Sequence, residues 1–105
     1  MVDIGANVAR GEATIIVNGE PITLRPTFSS LVMCEEELGS LYDLVERAGE
    51  GKLKISEVSA LFWHCLHDRS EITRDQVGQA IVDSGLASIS KPLRILLHQI
   101  LQGHA

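Results

Sequence analysis

The chain has 105 residues, 45% of them hydrophobic and 22% charged, an ordinary globular composition that excludes disorder and bounds the fold to one domain, residues 1–105. A net charge of −5 with no basic run excludes binding to nucleic acid, where affinity comes largely from neutralised phosphates. No apolar stretch approaches the ~20 residues of a membrane span, and the opening MVDIGANVARGE lacks the apolar core of a signal peptide, so a cytosolic chain with two reduced thiols, Cys34 and Cys65, is expected.

Residues 1–10 carry only scattered small apolar side chains and read as a flexible arm. Residues 11–25 read as a β-hairpin. Asn18-Gly19 suits a type I′ turn, whose two central residues take positive φ. Counting outward pairs Val17 with Glu20, Ile15 with Ile22 and Ala13 with Leu24, which puts an apolar face on one side of the ribbon. Pro21 then faces Ile16 in a non-hydrogen-bonded pair, so no ladder bond is lost, and a third strand alongside Pro21 is disfavoured.

Helical pattern fills residues 27–103. Thr27 is the expected N-cap of a helix from Phe28 to Leu38 ended by Gly39. Its stripe of Phe28, Leu31, Val32 and Leu38 is expected to hold the hairpin, with Phe28→Ala costing ~3–5 kcal/mol as a core truncation. Ser40 opens a short helix, Leu41 to Ala48, with Leu41, Leu44 and Val45 inward. Ser56 caps a third, running to about His67; it is apolar nearly all round and therefore expected in the middle of the domain. A capping box, Thr73 with Gln76, starts a fourth helix from Arg74 to Ser84, ended by Gly85. Pro92 near a first turn starts the last, which runs to Gln102. The fold class is α+β, an N-terminal hairpin packed on a small bundle of about five short helices.

Several constellations bear on function. Glu35, Glu36 and Glu37 crowd the last turn of the first helix, where the dipole disfavours each by ~0.3–1 kcal/mol when exposed. Glu35 also falls inside the apolar stripe, at i+7 from Phe28. Either the run marks a partner-binding surface, or the stripe turns toward Cys34 and Leu38 and leaves Glu35 at its edge, paired with Arg25 or Arg47. Trp63 is core if its helix is covered on both sides; otherwise Trp63 and His67 form a patch for a protein partner. His64 and His67, with Cys34 and Cys65, allow a zinc reading, but Cys65 points about 100° from His64 and no CxxC or HExxH accompanies them. An EF-hand register anchored on Ile72 places Cys65, His67, Arg69 and Gln76 at ligand positions, which fails for calcium. No nucleophile elbow, P-loop or dinucleotide fingerprint occurs, so neither an enzyme nor a cofactor is expected.

The order of these elements resembles the gene-transfer-agent and phage tail-assembly-chaperone family. The resemblance rests on the hairpin ending Gly19 to Thr27, the Leu- and Glu-rich helix Leu31 to Gly39, the short helix Leu41 to Ala48, the break Glu50-Gly51, and Lys54 to Leu66. It extends over roughly Gly11 to Gly85 and lies in apolar positions and breaks, not in a catalytic signature. It implies a small non-enzymatic protein of the bacterial host cytosol that binds the tape-measure protein, or another tail protein, during tail assembly. The alternative within that context is a structural component of the tail tube, and homo-oligomers are compatible with either. Such a chaperone needs an exposed apolar groove with a polar rim. The acidic run Glu35, Glu36 and Glu37 and the neighbourhood of Trp63 and His67 are the expected partner-binding residues.

Overall fold

A computed structural model describes residues 12–69 and 71–103. The expected arm, residues 1–10, lies outside the described residues, as does Ser70 of the connector after the third helix. Two strands, β1 (Ala13–Val17) and β2 (Glu20–Leu24), precede five helices: α1 (Phe28–Leu38), α2 (Leu41–Gly49), α3 (Ile55–Cys65), α4 (Arg74–Ser84) and α5 (Leu86–Gln102). The chain is thus α+β, as its patterning implies.

The hairpin has the register set by its turn. Asn18 and Gly19 take φ of 53° and 79°, and the pairs run from Val17–Glu20 to Ala13–Leu24 with Pro21 opposite Ile16. Ala13, Ile15, Val17 and Leu24 are buried. Among the described residues, the outer edge of β2 is engaged at its far end, away from Pro21. There Leu24 bridges Leu66, the Arg25 N–H donates to the Cys65 carbonyl at 2.6 Å and the His67 N–H to that of Thr23 at 3.0 Å. The ribbon is thereby tied to the end of α3.

The hairpin does not rest on α1. β1 packs on α4 and α5, while α1 packs on α3 and α2. Only residues 25–27 separate β2 from α1, and the bonds to Cys65 and Thr23 send the chain out of the ribbon alongside α3. The ribbon's apolar face is covered by the stripes of the last two helices, whose buried residues are Val77, Ala80 and Ile81 on α4 and Ile89, Pro92 and Leu96 on α5. On α1 the inward face has turned to Leu31, Cys34 and Leu38, with Cys34 its one buried residue. Phe28 is 85% exposed, so the core position expected for it is corrected: it sits in the first turn, clear of α3.

α3 is the middle of the domain, packed by α1 and α4, and it buries Val58, Leu61, Phe62 and Cys65. Its start differs from expectation. Lys54, not Ser56, is the N-cap, and Glu57 accepts from the Lys54 N–H at 2.9 Å; the helix stops at Cys65, short of His67. The last helix begins at Leu86, so Pro92 lies inside it instead of opening it. Gly85, with φ of 85°, is at once the C-cap of α4 and the N-cap of α5, a one-residue joint that only a positive φ allows. The missing N–H of Pro92 deprives one carbonyl of α5 of its donor, and Pro92 is buried. The other caps are as read: Thr27, Ser40 and Thr73 each accept a backbone N–H.

Candidate partner-binding surface

The acidic run at the end of α1 divides into three environments. Glu37 reaches across the C-terminal half of α3 to the first turn of α4. Its carboxylate accepts from His64 Nε2 at 2.8 Å and from both terminal nitrogens of Arg74, at 3.0 and 2.8 Å. The hydrogen bonds from Arg74, then the one from His64, hold the Glu37 carboxyl down at about 2, and the same pairing raises Arg74. An ionised carboxylate offers no hydrogen, so Nε2 is the His64 nitrogen that donates. The buried Nδ1 has no partner among the described residues. Arg74 also lies over the Trp63 ring, 5.9 Å from its centre, beside Arg69 at 5.1 Å. The result is a clasp of α1, α3 and α4 that answers the unfavourable dipole end with a cation from another helix.

Glu35 does something else. It is exposed, and its Oε2 accepts the Leu41 N–H at 2.9 Å, satisfying an unpaired donor in the first turn of α2. It pairs with neither of the arginines expected. Arg25 holds the buried Glu12 at 2.6 Å, and Arg47 makes a two-point pair with Glu57 and a third bond to Asp43. Glu36 is exposed. Trp63 is half-buried against the core, its ring flanked by the two arginines. His67 lies beyond the end of α3 and is exposed, so it shares no helical face with Trp63 or His64. The paired-imidazole geometry that a zinc site would need on this helix is therefore missing, and among the described residues no three metal-ligating side chains converge. Burial pushes the thiols of Cys34 and Cys65 up to about 11 and about 12, which keeps both in the protonated form at neutral pH.

An apolar groove of about 380 Å³ lies between α1, α2 and α5. Leu31, Leu41, Val45, Ile100 and Leu101 line it, with Tyr42 at its side and Glu35 and Glu46 at its rim. Phe28 and Val32 are also exposed, and they share the α1 face of Leu31 and Glu35 at i, i+3, i+4 and i+7 spacing. Tyr42 is 88% exposed. A larger and more polar hollow of about 420 Å³ lies under the open side of the hairpin and takes in His67, Asp68 and Glu71. The sequence reading singled out Glu35 from the groove and missed Tyr42 and Leu101. Tyr42 stands off the Leu41, Leu44 and Val45 stripe of its own helix, a large aromatic with no inward position, and that was the available signal.

The described residues thus form a small helical body with a hairpin and an apolar groove between α1, α2 and α5. Residues 10–103 match the family model described as phage tail tube protein, GTA-gp10, and the chain belongs to that family. Comparison with curated proteins and with solved structures finds no match. The match makes this a protein of phage or gene-transfer-agent tails, a structural class; its description names the tube and not a chaperone. Among the described residues no helix is long and apolar enough to cross a membrane.

Proposed function

We propose that the chain is a non-catalytic component of the tail tube that works by packing against other tail proteins. The observation that carries this reading is the family match, which spans every strand and helix from Ala13 to Gln102. Particles purified from a producing host test it. The chain should be recovered in fixed proportion to the major tail proteins and should remain with tubes stripped of capsids. Abundant protein in the host cytosol with none in particles overturns it.

A second reading, an assembly chaperone that holds the tape-measure protein until the tube closes around it, is favoured by one feature. The groove between α1, α2 and α5 leaves Tyr42 and its apolar neighbours open in the lone chain, as a reversible grip on a helical protein requires. This reading predicts absence from finished particles and a tape measure that is soluble only when co-expressed with this chain. A tape measure equally soluble alone rules it out.

A further inference from the structure

We propose that the groove between α1, α2 and α5 docks one amphipathic helix of another tail protein, with lysine or arginine flanking that helix's apolar face. The proposal rests on the reading of this chain as a protein that packs against tail proteins, and adds the site and the chemistry of the partner.

Three observations select the occupant. The floor is aliphatic, so the occupant presents apolar side chains. The lining comes from α1, α2 and α5, whose interior backbone groups are already paired, so an added strand would find no ladder of donors and acceptors; a helix packs by side chains alone. The rim is negative. Glu35 and Glu46 border the groove, and none of its lining residues is a lysine or arginine. Glu35 comes from the C-terminal turn of α1, and Leu101 from that of α5, which has no basic residue to offset its dipole. A second copy of this chain, at net charge −5, brings further negative charge to that rim, whereas cations on the occupant complement it.

The test titrates two synthetic helical peptides of about 18 residues, long enough to fold on binding, into the purified full chain by calorimetry. Both carry the same leucine stripe; one is flanked by lysine, the other by glutamate. The lysine peptide should bind at least about tenfold more tightly, and its advantage should shrink as salt is raised. Tyr42→Asp should weaken the lysine peptide by about tenfold or more, and Glu46→Lys should erase the preference between peptides. Val82→Asp, on an exposed face of α4, should bind as the unaltered chain does. Circular dichroism checks that each variant is folded. Equal or tighter binding of the glutamate peptide, no binding of either, or an unchanged Tyr42→Asp overturns the proposal. So does a dimer of the unaltered chain, seen by sedimentation, that Tyr42→Asp dissolves. Particle fractionation reads incorporation alone, so failure of the peptide titration leaves the tail assignment standing, and the reverse also holds.

Discussion

The two phenylalanines give the sharpest test of the packing. Phe62 is fully buried on α3, between α1 and α4, whereas Phe28 stands 85% exposed at the start of α1. Truncating a buried phenylalanine removes its transfer free energy and leaves a cavity, together ~3–5 kcal/mol. Against a total stability of about 5–15 kcal/mol for a domain, Phe62→Ala is severe. At about 4 °C per kcal/mol, suited to a domain near 100 residues, its melting temperature should fall by roughly 12–20 °C. Phe28→Ala deletes a side chain already in water and should stay within about 0.5 kcal/mol of the parent. Urea unfolding followed by circular dichroism measures both, with the slope checked for constancy. If Phe28→Ala lost as much as Phe62→Ala, the rotation of α1 that points Cys34 inward would be wrong.

Three further outcomes are expected. Gly78→Ala should stabilise by roughly 0.5–1 kcal/mol in the same urea assay, because its Cβ would meet only Ser59 Oγ at an ordinary 3.6 Å in a helix interior. Gly85→Ala should destabilise by about 1–2 kcal/mol despite open space around it, since the joint between α4 and α5 holds φ at 85°. Acid should unfold the protein through its paired carboxylates. The two-point pair with Arg47, then the Lys54 N–H, hold Glu57 at about 2 against an ordinary 4.5, and Glu37 is similarly low. Both contributions are complete above pH 4.5 and are lost as pH falls through that value toward 2. Glu57→Gln, which keeps an acceptor for the Lys54 N–H, should flatten that part of the pH profile of stability; an unchanged profile would refute the role of the pair.

Local chemistry was legible in the sequence because each signal was complete within a few residues. Asn18-Gly19 set the register, and the side chains of Thr27, Ser40 and Thr73 set the helix starts. Some local signals misled, as at α3, where Lys54 and not Ser56 is the cap, but the orientation of α1 failed because it depended on distant partners. Periodicity alone admits two orientations of α1, since Phe28, Leu31 and Val32 compete with Leu31, Cys34 and Leu38; α3 decided between them by drawing Cys34 inward. Pro92 was read as a start because proline commonly opens helices; the helix instead begins at Leu86, with Gly85 as the joint. At the candidate site, the conflict of three glutamates at one helix end was visible. Its resolution was not: Glu37 found His64 and Arg74 across α3, while Glu35 turned to the backbone of α2.

The ribbon also orders events during synthesis. β1 and β2 leave the ribosome before the helices, yet the surface that covers β1 belongs to α4 and α5, the last two of the described elements. Until α4 and then α5 emerge, Ile15 and Val17 lack their cover, and the hairpin waits exposed for helices made much later. A nascent chain halted before α4 would therefore present a bare apolar hairpin, a target for chaperones of the host and a seed for clumping that the finished protein conceals.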